Sequence, residues 1–351
     1  MSRAKRKMDH INYALSTGQG RETWLDCVRF VHQALPGIGV ADVSLEPKTG
    51  DLKLKSPVFI NAMTGGGGQD TLQLNALLAR AAKETGIAMA VGSQMAALKD
   101  KAERDSYAVV RQENPNGIIF GNLGSEATVV QAQEAVEMIG ADALQIHLNV
   151  VQELTMPEGD RQFRGALDRI GQIAEALHVP VIIKETGFGI SEETAKALGQ
   201  TRVAAIDASG FGGTNFASIE NERRKRKLAY FEDWGIPTAA AIVECREGFE
   251  RTVLASGGLQ DAGDLVRAFR LGADAAGIAG SFLKRAVNCG ESGLIEEINA
   301  LHEDLRMLMT ALGARTIEEI RSSPVVISGE LLSHLQQRGY DAEHFAVPVK
   351  N

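Results

Sequence analysis

Eight apolar runs of strand length, each ending in small or polar residues and separated by helical stretches, constrain this chain more than any other feature. They lie at 57–61, 88–92, 118–122, 143–149, 180–185, 203–209, 252–257 and 275–279. Strands that alternate with helices build a parallel sheet with crossover helices, and eight such units predict closure into an α/β fold, the (β/α)8 TIM barrel. A barrel of this kind carries its chemistry at the C-terminal ends of its strands, so the list of run ends is also a list of candidate site residues.

The 351 residues accommodate a barrel core of roughly 250 with an extension on each side. The division predicted is 1–56 as N-terminal extension, 57–285 as barrel and 286–351 as C-terminal helical extension. Within the first part, 43–45 and 52–55 flank the turn-rich Pro47-Lys48-Thr49-Gly50-Asp51, which predicts a hairpin able to plug the barrel's N-terminal face. Helical spacing predicts closing helices over 293–313 and 328–339. Ser191, followed by Glu192 and Glu193, is a predicted N-cap with Gly199 as the stop, and Asp261 is a second N-cap.

A hydrophobic fraction of 44% and a charged fraction of 23% are those of an ordinary globular protein. No apolar stretch approaches the ~20 residues of a membrane span, and the basic N-terminus lacks the apolar core of a secretory signal, which predicts a cytoplasmic protein. Cys27, Cys245 and Cys289 are far apart and form no CxxC pair, so neither a disulfide framework nor a structural zinc site is expected. The net charge of −8 argues against nucleic acid as a partner. The basic run 223–227 reads as one solvated helix face and stays outside the site.

Ser256-Gly257-Gly258-Leu259 and Ala279-Gly280-Ser281 follow the seventh and eighth runs, where barrel enzymes hold phosphate on backbone N–H groups. Singly, each is also what a tight turn looks like; the paired placement favours a mononucleotide phosphate clamp. Ala62, Met63, Thr64, Ser93, Asn122 and Lys184 end the first, second, third and fifth runs and would converge on a flat ligand with polar edges. A lysine closing a buried strand is costly unless it meets an anion or electron-rich group, such as the edge of an isoalloxazine. A solvated lysine beside Glu185 is the other reading.

The fourth run ends His147-Leu148-Asn149-Val150-Val151-Gln152-Glu153, the most polar run end in the chain. Period-two alternation sends His147 and Asn149 to one side. A lone histidine in an apolar strand often serves the core, but four polar or charged residues within seven positions favour substrate contact, with Glu153 as a ligand for a hard metal ion. After the sixth run comes Ser209-Gly210-Phe211-Gly212-Gly213-Thr214, where glycines admit close backbone approach to a ligand and Thr214 can donate to it.

Taken in order, Arg6-Lys7-x-x-His10, Asn61-Ala62-Met63-Thr64-Gly65-Gly66, Gly92-Ser93-Gln94, His147-Leu148-Asn149, Gln152-Glu153, Lys184-Glu185 and Ser209-Gly210-x-Gly212-Gly213-Thr214 resemble the type 2 isopentenyl-diphosphate isomerases, from residue 6 to about residue 285. The resemblance implies an FMN enzyme of isoprene biosynthesis that interconverts isopentenyl and dimethylallyl diphosphates. It implies Mg²⁺, flavin kept reduced by NADPH or NADH, and a homotetramer or larger homo-oligomer. Carried over by motif, Ala62, Met63, Thr64, Ser93, Asn122, Lys184, Ser209, Thr214, Gly257, Gly258, Ala279 and Gly280 would contact FMN. Arg6, Lys7 and His10 would bind the diphosphate, with His147, Asn149 and Gln152 in the substrate pocket and Glu153 on Mg²⁺. Gln260, where a basic residue would be unsurprising, leaves the phosphate clamp to backbone donors.

Moving the double bond adds a proton at one carbon and removes one from another while positive charge develops between them. The expectation is that reduced FMN transfers the proton through N5 and that Lys184 holds the flavin's negative charge. Gln152 and Glu220 are secondary candidates for orienting groups or proton relays. The alternative is an FMN-dependent oxidoreductase of the α-hydroxy-acid oxidase type, a group that resembles this chain in barrel and phosphate turns but carries a histidine base after the sixth strand. A flavin-binding scaffold without catalysis is a third reading, and it leaves Arg6, Lys7, His10, Gln152 and Glu153 without a purpose.

Overall fold

The computed structural model describes residues 22–347. Eight parallel strands, β2 (Val58–Ile60), β3 (Ala88–Ala90), β4 (Ile119–Gly124), β5 (Ala143–Leu148), β6 (Val181–Glu185), β7 (Ala205–Asp207), β8 (Thr252–Ala255) and β9 (Ala275–Ile278), close into a barrel in chain order, with β9 pairing back onto β2. All eight predicted runs are present, most of them trimmed where the chain leaves the ladder for turns, while the third runs two residues further, to Gly124. Outside the barrel, β1 (Val28–Phe30) pairs antiparallel with β10 (Val325–Ile327) and ties the two ends of the described chain together.

The strand sequences alternate, and the alternation divides the core. Val58, Ile60, Met89, Ile119, Leu144, Ile146, Ile183, Ile206 and Val253 point outward into the layer shared with the helices. Phe59, Ala88, Ala90, Phe120, Ala143, Ile182, Ala205, Leu254 and Ala275 point inward and form an apolar floor, with Phe59 and Phe120 meeting edge to face at 5.8 Å. Two residues further along each strand the inward position changes character: Asn61, Gly92, Asn122, Gln145, Lys184, Asp207, Ser256 and Gly277. A polar tier therefore rests on an apolar one.

The predicted hairpin at 43–55 is absent: the segment follows a 3-10 turn at Val40–Asp42, forms another at Gly50–Leu52 and contains no strand. Lys53 turns through a left-handed conformation (φ 49°), and Thr49 Oγ1 accepts from Leu54 N at 3.0 Å. Leu52 and Leu54 thereby both reach the barrel floor, so the segment plugs the barrel as a coil. The helix predicted over 293–313 belongs to a longer one, Gly280–Leu312, broken at Gly290 (φ 70°, ψ −167°), and that over 328–339 is Gly329–Gln337. Ser191 and Asp261 cap their helices as predicted, accepting from Thr194 N and Asp264 N. Among the described residues no helix is long and apolar enough to cross a membrane.

Candidate active site at the C-terminal mouth of the barrel

A cavity of about 930 Å³ opens where the strands end. Ala62, Met63, Ser93, Asn122, His147, Asn149, Gln152, Glu153, Lys184, Ser209, Thr214, Gly257, Gly258, Ala279 and Gly280 all line it. Thr64 and Glu220 do not: Thr64 Oγ1 donates to Asn75 Oδ1 at 2.5 Å and holds the glycine loop, and Glu220 is fully buried behind the wall, paired with Arg223. Arg6, Lys7 and His10 lie outside the described residues.

On one side the turn after β8 approaches the turn after β7 so closely that side chains are excluded. Gly257 and Gly258 take φ of 99° and 76°, and a Cβ on Gly258 would overlap the Gly212 carbonyl and the Thr23 methyl. Thr238 Oγ1 pins the turn by donating to Gly257 O at 2.6 Å. Facing it is the start of the helix Gly280–Leu312, where Ser281 Oγ is buried with no hydrogen-bond partner. Exposed backbone N–H groups, a helix N-terminus and an unpartnered hydroxyl are what a phosphate monoester requires, so these residues fit the phosphate of FMN. Gln260 stays out of the cavity wall, its N–H donating to Asp264.

Lys184 enters from β6 with its side chain 10% exposed. Its Nζ donates to Glu185 O and Ser209 Oγ, both at 2.8 Å, and lies 3.7 Å from Asp207 Oδ2. It is tethered rather than solvated. Glu185 points the other way, into the protein, and accepts from Phe188 N at 2.5 Å; burial pushes its carboxyl up to about 8 despite that hydrogen bond and the nearby Lys184 charge.

The opposite wall comes from β5 and the short helix Val150–Thr155. Asn149 Nδ2 and Asp160 N donate to the two carboxylate oxygens of Glu153 at 2.9 and 2.6 Å, which fixes its direction. Among the described residues no three His, Cys, Asp or Glu cluster to hold a metal. A single oriented carboxylate suits Mg²⁺ arriving with phosphate oxygens, because that ion keeps most of its ligands as water or substrate.

The basic run 223–227 is not a helix face: the helix Phe216–Asn221 has already ended. Arg223 is drawn inward between Glu220 and Glu158, the latter in the cavity wall, and Arg224 donates to Thr155 O at 2.9 Å. Thr186, in the wall with a buried and unpartnered Oγ1, has no distinguishing sequence signal. Asn61 and Ser256, which also line the cavity, and Gln145 and Asp207, which support it from below, could have been found by stepping two residues from each floor position.

A family model described as FMN-dependent dehydrogenase matches residues 125–327. The fold resembles that of (S)-mandelate dehydrogenase from Pseudomonas putida (TM-score 0.63, 16% identity, 90% of this chain and 97% of that one). It also resembles mandelate oxidase (TM-score 0.62, 17% identity, 90% and 95%). Fold and phosphate cradle thus place the chain among the FMN-dependent (β/α)8 barrels. Curated relatives named isopentenyl-diphosphate delta-isomerase match it nearly end to end: one from Bacillus pumilus is 58% identical, covering 99% of this chain and 98% of its own, and one from Bacillus licheniformis is 55% identical, covering 97% and 98%. The chain belongs to the isopentenyl-diphosphate delta-isomerase family.

Proposed function

We propose that this chain interconverts isopentenyl and dimethylallyl diphosphates on bound FMN, with Mg²⁺ on the diphosphate and NADPH or NADH as the reductant. The observation that carries the reading is a single cavity with a phosphate cradle on one wall and Gln152, Glu153, His147 and Asn149 on the other. FMN, when bound and reduced, would supply an electron-rich ring and a group able to transfer a proton. Lys184 provides a fixed positive charge for the electron-rich edge of that ring. Glu153, held by Asn149 and Asp160, would carry Mg²⁺, and Arg6, Lys7 and His10 would supply a second anion site for the diphosphate. Gln152 lines the cavity one residue before Glu153 and would lie beside the reacting allyl group, with an amide that can donate and accept toward neighbouring polar groups without changing charge.

The hydroxy-acid oxidase reading needs a histidine base after the sixth barrel strand. Ser209 to Thr214 contains none, and His147 is the single histidine among the described wall residues, on a different strand. The test is anaerobic assay of the protein with FMN, dithionite, Mg²⁺ and isopentenyl diphosphate. Reduced enzyme is expected to form dimethylallyl diphosphate; Glu153→Gln should lose Mg²⁺ dependence, and Lys184→Ala should lose flavin-dependent turnover. Equal rates for oxidised enzyme without reductant would overturn the role of flavin, and rapid flavin reduction by lactate or glycolate would restore the oxidase reading.

A further inference from the structure

The polar tier beneath the cavity has one carboxylate, and its position orders the rest. Asp207, at the end of β7 and 0% exposed, accepts from Ser256 Oγ at 2.6 Å and Ser209 N at 3.3 Å on Oδ1, and from Asn61 Nδ2 at 2.8 Å on Oδ2. Both of its oxygens act as acceptors. Asn61 must therefore turn its amide NH₂ toward Asp207, which leaves its Oδ1 to accept from Ala62 N at 2.8 Å and Gln145 Nε2 at 3.2 Å. With its NH₂ committed to Asn61, Gln145 presents Oε1 to Asn122 Nδ2 at 3.1 Å. Asn122 then has only Oδ1 to offer His147 Nδ1, 2.9 Å away. A carbonyl oxygen cannot donate, so Nδ1 must carry the proton.

We propose that Asp207 is a positioning residue for both walls of the cavity: directly for Lys184 and Ser209, and through Asn61, Gln145 and Asn122 for the Nδ1–H tautomer of His147. None of these amides has a second arrangement that keeps every hydrogen bond, because each flip sets two donors or two acceptors against each other. Ser209, a non-glycine residue at φ 39°, sits two positions beyond Asp207 and is held by its carboxylate. The tautomer assignment stands on these contacts alone. Its bearing on substrate, which would meet an imidazole of fixed donor pattern, rests on the function proposed above.

The test is made on FMN-bound protein without substrate, so that it is independent of isomerase activity. Protein labelled with ¹⁵N-histidine is examined by long-range ¹H–¹⁵N correlation, with His147→Gln used to assign one of the seven histidines. Wild type is expected to hold His147 as the Nδ1–H tautomer. Asp207→Asn, which can donate as well as accept, leaves only Ala62 N to fix Asn61 and is expected to let the Nε2–H form appear beside the Nδ1–H form, while Lys184→Met leaves the tautomer unchanged because the relay bypasses it. The double variant Asp207→Asn with Gln145→Glu returns an acceptor-only group to the relay and is expected to restore Nδ1–H. A wild-type Nε2–H tautomer, or an unchanged Nδ1–H tautomer in Asp207→Asn, overturns the proposal. If Asp207→Asn fails to fold, Gln145→Leu decides: loss of the Nδ1–H preference supports the relay and its retention overturns it.

Discussion

Glu185 gives a thermodynamic handle on the strand end that positions Lys184. Its carboxyl is enclosed by protein and accepts from Phe188 N, yet burial pushes it up to about 8. In the unfolded chain the group returns to its ordinary value of 4.5. Between those two values the folded chain binds one proton more than the unfolded chain. The stability linked to this group is therefore complete below the unfolded value and is lost as pH rises through about 8. The slope is at most about 1.4 kcal/mol per pH unit, and the loss across the window is roughly 3 to 5 kcal/mol. Glu185→Gln keeps one acceptor for Phe188 N and removes the titration. Urea midpoints at intervals from pH 5 to pH 9 should show wild type losing stability relative to Glu185→Gln as pH rises, with the difference levelling above the upper end. Parallel profiles for the two proteins would refute the buried, proton-holding carboxyl.

At the phosphate cradle, Gly257→Ala places a Cβ against the Gly210 carbonyl at a φ of 99°. Left-handed backbone and overpacking together predict about 2 to 4 kcal/mol of destabilisation, read as a lower melting temperature, with FMN lost on gel filtration. His302 gives the opposite pH trend: burial, with a smaller effect from Arg306, holds it down to about 4, and its Nε2 lies 2.8 Å from Ser56 Oγ. Stability linked to this neutral ring is present above about 6.5 and lost as pH falls toward 4. His302→Gln should flatten the acid limb by about 3 kcal/mol in the same urea series.

The barrel was legible because its signal is repeated: eight apolar runs ending in Gly, Ala, Asn, Ser or Glu allow few alternatives. Fifteen of the predicted contact residues line the cavity, and all but Gln152, Glu153 and Thr214 lie in a strand or within three residues of its end. The failures have local causes. Thr64 lies four residues past β2 and Glu220 lies in the helix Phe216–Asn221, where strand alternation no longer determines which way a side chain points; Asn75 and Arg223 claimed them instead. The segment 43–55 has hairpin-like turn residues, but the open floor of the barrel attracts Leu52 and Leu54 more strongly than strand pairing does. Asp207 and Gln145 were overlooked because each lies inside an apolar run, where a single polar residue gives no sign of the other polar residues brought beside it by barrel closure.

Thr23 packs its methyl against Gly212 and Gly258 and its carbonyl accepts from Ala239 N at 2.9 Å, so the described chain begins at the rim of the cavity. The 13 peptide links from His10 to Thr23 can span at most about 45 Å. The proposed diphosphate motif is thus covalently confined to within that reach of the cavity rim. A single peptide cleavage between the two would remove that confinement while leaving every contact of the described barrel in place.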